Sequence, residues 1–375
     1  MRQFADAVTG LLSGEPVSNT PGRHQAVTAP PGPGDEDEAL ADDTSFVRRV
    51  LLRPSVLLIL SLAVVTLVAG RSLLFGDLLA GGALPPVAGN AGDLWSLYLA
   101  PYPDSGLGSD SPVPPYVGLL ALLSTVTFGK PWLAVTLLLL GCVPLAGWTA
   151  YLLAREVLRH VPARLWLAAT YALLPMATGA VAQGRVGTAL VHALLPVLGL
   201  LMVRLVSLPP KQSRRAAWGL GLTLTVTTAF VPMVWLMSLV TGVLVAVAFG
   251  HVGRRLYVSV ALSLGLPVLL LLPWSLELFL HPTLWLLEAG LHRPELSEPG
   301  ATPFELLMLS PGGQGAPPAW VTVGFLAAAL LALFLLRNRM LVAAGWSLAL
   351  FGIGVAILTS RIVIEPYYAG PPAPV

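Results

Sequence analysis

Charge is what this chain has least of. Only 11% of its 375 residues are Asp, Glu, Lys or Arg, against about 25% in an ordinary soluble domain. Cysteine is nearly missing too. The one cysteine, Cys142, lies inside an apolar run, which excludes an intramolecular disulfide and a cysteine-rich metal site. The six histidines (24, 160, 192, 251, 281 and 292) show no metal-ligand spacing, so no metal site is expected. There is no GxxxxGK[ST] loop, HExxH, GxSxG or CxxC, which removes the commonest soluble-enzyme signatures, and no cofactor is specified. A formal net charge of +2 without a basic cluster gives no sign of a nucleic-acid partner.

What is present is apolar sequence, 55% of the chain, with a mean hydropathy of +0.79. About 20 apolar residues cross a hydrocarbon core. Spans are expected at 54–70, 131–154, 164–181, 187–207, 215–230, 232–250, 256–279, 318–336 and 340–359, which makes nine. Val231-Pro232 divides two of them. The stretch 116–129 is too short and reads as a half-helix or interfacial helix. The expected fold is therefore all-α, a polytopic membrane helix bundle. Residues 1–47, rich in Pro, Gly and acid, read as a disordered cytoplasmic tail, because they cannot bury enough apolar surface to offset chain entropy. Residues 48–370 form the membrane domain. The ending RIVIEPYYAGPPAPV reads as a cut rather than a natural terminus.

Basic residues mark cytoplasmic loops. With the tail inside, fourteen of the 21 Lys and Arg fall at inner ends, and five (Arg71, Lys130, Arg185, Arg293 and Arg361) at outer ends. The other two, Arg2 and Arg23, lie in the tail. A full crossing at 116–129 would invert every later sign. The expectation is thus a multi-pass protein of the cell membrane, N-terminus cytoplasmic, with loops 71–130 and 280–317 outside. In the second loop, TLWLLEAGL and PFELLML read as interfacial helices.

The polar stretch NAGDLWSLYLAPYPDSGLGSDSPVPPY, residues 90–116, stands out between apolar runs. Asp93 is its sharpest candidate for chemistry. A carboxylate near the headgroups, beside Trp95 and Tyr98, is placed to take a proton from a hydroxyl. The competing reading is that Asp93 only caps the helix that follows. Asp104 and Asp110 sit in turn contexts, PDSG and GSDSP. Gln183 and Arg185 occupy an outer turn, where an arginine either holds a phosphate or anchors at the interface. His192, within a span, is either functional or a hydrogen-bonded packing histidine.

One span, an acid-led outer loop, a half-helix and then a run of spans resembles the GT-C class of membrane glycosyltransferases. DLWSLYLAPYPDSGLGSDSPVPPY, followed by GRVGTALVHALLP, is similar to the multi-span region of large actinobacterial family-2 glycosyltransferases. That region in turn is similar to the membrane core of mycobacterial arabinofuranosyltransferases. The resemblance covers roughly residues 45–370. It implies a GT-C-like fold, a polyprenyl-phosphate sugar as donor, a cell-envelope glycan as acceptor and membrane lipid as surroundings. It implies Asp93 as base and Arg185 as the residue that meets the donor phosphate. Gln183, Trp95, Tyr98 and Asp110, close by in the sequence, are the further candidate substrate contacts. The large relatives carry a cytoplasmic nucleotide-sugar transferase domain ahead of the membrane region, and here only the tail stands there. Two alternatives follow: a non-catalytic membrane module serving a separate cytoplasmic glycosyltransferase, or a transporter of lipid-linked glycan.

Overall fold

The computed structural model describes residues 53–71, 89–99, 113–177, 180–181, 183–249, 253–290 and 339–359, with isolated residues at 304, 323, 327, 330 and 331. Among the described residues the secondary structure is entirely helical. The helices are α1 (Pro54–Ala69), α2 (Ala91–Leu99), α3 (Pro115–Val126), α4 (Pro131–Val157), α5 (Val161–Ala177) and α6 (Val186–Ser207). There follow α7 (Pro210–Phe230), α8 (Met233–Ala248), α9 (Arg254–Leu270), α10 (Trp274–Leu280) and α11 (Arg339–Thr359), with a 3-10 turn at Pro282–Leu286. Proline opens α1, α3, α4 and α7. At the first helical position its missing N–H costs nothing and its fixed φ already suits the helix.

Among the described residues two helices, Pro131–Val157 and Val186–Ser207, are long and apolar enough to cross a membrane, or three spans if the bent pair α9–α10 counts as one. The expected span 256–279 holds two prolines that each predict a kink, Pro267 and Pro273, and only the second breaks the helix. The chain breaks at 271–273, and α10 leaves α9 at 103°. Pro273 has no N–H for the helical ladder and biases Leu272 away from helix. TLWLLEAGL also departs from expectation: the turn Pro282–Leu286 is 3-10, not an α-helix. Apart from those isolated residues, the expected span 318–336 and the piece PFELLML lie outside the described residues, as does the tail 1–47.

Side-chain register orders the bundle. Leu62 touches Gly147 and Leu140 touches Gly70, so α1 and α4 run antiparallel. The chain therefore leaves α1 and re-enters α4 at the same end, as expected if 116–129 makes no crossing. Thr149 Oγ1 donates to the Ala193 carbonyl at 2.8 Å, and Leu153 rests on Gly199, so α4 and α6 run parallel. Ser213 Oγ donates to the Leu205 carbonyl at 2.8 Å while Val231 lies beside Gly187, so α7 returns antiparallel to α6. Arg255 reaches the Leu208 carbonyl and Gly221 packs on Ser263 and Leu266, so α9 runs parallel to α7.

These registers give the bundle two unlike ends. One gathers Arg53, Arg155, Arg159, Arg164, Arg204, Lys211, Arg214, Arg215, Arg254 and Arg255, with Glu156 as its only described acid. The other carries Arg71, Lys130 and Arg185 beside Asp93, Glu277 and Glu288. The register also sets α4 residue 142 level with the first residue of α6. At 1.5 Å per residue, α4 then stands about 15 Å beyond the ends of its neighbours at the mixed end.

Candidate functional site

Helices α2 and α3 form an antiparallel hairpin against this projecting part of α4. The Ala91 N–H bonds the Gly129 carbonyl at 3.0 Å. Trp95 Nε1 donates to Thr125 Oγ1 at 3.0 Å, and the Tyr98 ring covers Gly118, where a Cβ would lie 2.9 Å from the ring. At the lower end of α3 the Tyr116 ring meets Phe230, the last residue of α7, at 6.0 Å. At its upper end, Phe128 and Gly129 turn the chain into α4 with positive φ of 58° and 73°. Trp95 and Tyr98, expected to contact substrate, pack on α3 and meet edge to face at 6.4 Å, while Tyr98 stays 37% exposed.

Asp93 sits on the exposed N-terminal turn of α2. Its Oδ2 accepts from the Asn90 N–H at 2.7 Å, while the Asp93 N–H returns to the Asn90 carbonyl at 3.0 Å. A carboxylate at the third helical position reaching back to the N-cap is one half of a capping box. Gly89 (φ +86°) makes room for it, since a Cβ there would collide with the carboxylate. The capping role weighed from the sequence is therefore present, through the third position rather than the cap itself. Asp104 and Asp110 lie outside the described residues.

Arg185 precedes α6, and its Nε pairs with Glu288 Oε2 at 3.1 Å. The other carboxylate oxygen accepts from the Thr188 backbone N–H, one of the donors that a helix start leaves unpaired. The Glu288 side chain is 9% exposed and that of Arg185 45%. Gly187 admits this arrangement, because a Cβ would lie 2.9 Å from Glu288 Cγ. The next residue, Ala289, donates its N–H to the Phe230 carbonyl at 2.8 Å, which straps 281–290 across the ends of α6 and α7. Gln183 is half-buried in the turn before Gly184 (φ +70°). Nothing in the sequence pairs Glu288 with Arg185. Its one signal was an acid inside an apolar WLLEAG run.

Glu288→Ala is expected to destabilise by about 1–3 kcal/mol, because it orphans a half-buried N–H. Arg185→Gln should cost less, about 1 kcal/mol, because the guanidinium is half exposed and the Glu288 carboxylate keeps its bond from the Thr188 N–H. Thermal unfolding in one detergent ranks the two. Equal costs would mean that the ion pair, not the helix-start hydrogen bond, holds the strap.

Leu94, Val186 and Ala289 belong to one hydrophobic cluster, so the turns carrying Asp93, Arg185 and Glu288 share a core. They do not share a level. Asp93 is at the tip of the hairpin beside Gly129, and Arg185 is at the floor made by the helix ends, about 15 Å lower by the α4 register. The structure does not bring Asp93 and Arg185 together at one reacting bond.

His192 answers a backbone problem. Pro175 leaves the Tyr171 carbonyl without its helical N–H, and Pro196 does the same to the carbonyl of His192. Tyr171 Oη donates to the His192 carbonyl at 2.7 Å, and His192 Nε2 lies 2.8 Å from that of Tyr171, with the rings stacked at 4.0 Å. A carbonyl partner requires the proton on Nε2. His192 is a packing residue, one of the two roles its sequence position allowed. Among the described residues no group of three His, Cys, Asp or Glu is placed to hold a metal ion.

Comparison with protein-family models, with curated proteins and with solved structures finds no match to this chain.

Proposed function

We propose that the chain is a multi-pass membrane protein, its basic end in the cytoplasm, that transfers sugar from a polyprenyl-phosphate donor to a cell-envelope glycan at the mixed end. In this reading it has a GT-C-like fold of nine spans and is related to the large actinobacterial glycosyltransferases. Support comes from one observation above all. An exposed carboxylate, Asp93, is presented at the mixed end, among the described residues, by a pair of antiparallel helices that would stand near the headgroups.

The reaction would proceed by attack of an acceptor hydroxyl oxygen on the anomeric carbon. The carbon–oxygen bond to phosphate breaks, polyprenyl phosphate departs, and the hydroxyl proton goes to Asp93. The phosphate and the attacked carbon are neighbours, so Arg185, about 15 Å lower, does not serve the phosphate that Asp93 serves. In this proposal it is a floor residue that anchors the strap through Glu288. Trp95, Tyr98 and Asp110 remain proposed substrate contacts, and Gln183, two residues before Arg185, belongs with the floor. The test is transfer of labelled sugar from a polyprenyl-phosphate donor to a glycan acceptor by membranes holding the chain, against membranes without it. No excess transfer would overturn the reading.

A second reading has an observation of its own. Asp93 caps a helix and Arg185 pairs with Glu288, so both charged candidates already have internal partners. A non-catalytic module beside a cytoplasmic glycosyltransferase would need nothing more from them.

Orientation is tested separately. In a Cys142→Ala background, Lys130→Cys should react with an impermeant thiol reagent in intact cells, and Gln212→Cys only after permeabilisation. Ser213 is unsuitable, being buried and bonded to Leu205. Reaction of Gln212→Cys in intact cells would invert the topology.

A further inference from the structure

The length of the bundle and the exposed faces of the α2–α3 hairpin together carry one inference, which rests on the membrane reading above. From Arg53 to Gly70 α1 rises about 25 Å, and from Arg215 to Val231 α7 rises about 24 Å. A hydrocarbon core is about 30 Å thick. The layer between the basic end and the floor is therefore too thin to be the whole hydrophobic slab. On α4 the distance from Arg155 to Lys130 is about 37 Å, which fits the core with an interface beyond it.

The residues at these limits agree. Lys130 Nζ lies 5.9 Å from the centre of the Trp132 ring, and a lysine with a tryptophan suits the headgroup zone. Between this level and the floor, the hairpin leaves Leu99 (69%), Leu122 (56%) and Val126 (74%) exposed, with Phe128 (87%) at the tip. Such a rim in water would be an aggregation liability. On α4, Leu137, above the floor, is exposed as well.

We propose that the α2–α3 hairpin is a re-entrant element embedded in the outer leaflet, its exposed face covered by lipid acyl chains and its tip among the headgroups. Helix α2 descends into the leaflet from Asp93 to Leu99, and α3 climbs from Pro115 towards Phe128. Asp93 then stands at the headgroup level, and the floor with Arg185 and Glu288 is recessed beneath it. This placement explains why the start of α6 is sealed by an internal carboxylate: water is scarce at that depth, and an unpaired N–H there is costly.

Spin labels on single cysteines test the depth. The variants are Gly92→Cys, Ser96→Cys and Leu99→Cys on α2, and Leu122→Cys, Val126→Cys and Phe128→Cys from α3 to the tip, all in Cys142→Ala protein reconstituted in phosphatidylcholine–phosphatidylglycerol bilayers. Collision with oxygen reports acyl chains, and collision with a nickel chelate reports water. The oxygen-to-nickel ratio is expected to rise several-fold from Gly92 to Leu99 and to fall several-fold from Leu122 to Phe128. Opposite gradients are the signature of a hairpin that goes down and comes back. Equal ratios along both helices would mean that it lies flat, and nickel access throughout would mean that it stands in water. Dipolar broadening at Leu122 would place a second copy of the chain on the face. Each of these three outcomes overturns the proposal. Val64→Cys, on the exposed face of α1, is the control. Oxygen-rich collisions at Val64 with nickel-rich ones at Leu122 sink the hairpin proposal alone, and nickel-rich collisions at Val64 sink the membrane reading.

Discussion

Asp93→Asn is expected to lower sugar transfer by about 100-fold to 10,000-fold, the usual range for loss of a general base. The substitution separates the two roles this residue can play. Its capping role uses one oxygen, Oδ2, to accept from the Asn90 N–H. An asparagine side chain keeps an oxygen acceptor of the same reach, so α2 should stay capped and the hairpin in place. It cannot take a proton from an acceptor hydroxyl. Asp93→Ala removes both functions and should add about 1 kcal/mol of destabilisation from the lost cap. The measurement is turnover at matched expression, with thermal unfolding of both variants alongside. If Asp93→Asn keeps near-normal turnover while Asp93→Ala unfolds earlier, Asp93 is a cap and nothing more.

Tyr171→Phe should destabilise the bundle by about 1–3 kcal/mol, because it leaves the His192 carbonyl without a donor. That carbonyl is orphaned only because residue 196 is proline. Pro196→Ala supplies the missing N–H, so the same Tyr171→Phe change made on top of Pro196→Ala should cost much less. The non-additive remainder is the energy of the cross-helix hydrogen bond, read as a double-mutant cycle. The mirror pair, His192→Phe with Pro175→Ala, tests the other half. If each pair of changes simply adds, the ring stacking rather than the two hydrogen bonds holds α5 to α6, and the account given for His192 is wrong.

Much of the helix layout was legible from composition and punctuation. Prolines at 54, 115, 131 and 210 announce helix starts, because their chemistry is local. The separation of α7 from α8 at Val231-Pro232 is equally local. A bend in the run 256–279 was legible from Pro267 and Pro273, but not which of the two would break the helix. Pro267 is absorbed within α9 and Pro273 breaks it. Hydropathy cannot say which will happen. The site was less legible than the fold. Glu288 finds Arg185 across 103 residues of sequence, and no spacing rule reaches that far. Trp95 and Tyr98 suggested an interfacial anchor, but their partners, Thr125 and Gly118, are set by the antiparallel register of a hairpin. Asp93 was read at the correct end of its helix. That it reaches back to Asn90 depends on the left-handed Gly89 just ahead of it.

Three aromatic rings meet where the strap begins. Trp235 at the start of α8, Phe279 on α10 and Trp285 in the 3-10 turn lie within 6.0 Å of one another, and the two indoles are 5.4 Å apart. Indoles at that separation share their electronic transitions, so they act as one coupled chromophore rather than two. The protein thereby carries its own optical reporter: the coupled ultraviolet dichroism of Trp235 and Trp285 persists while residues 281–290 lie across the helix ends, and it vanishes when they lift.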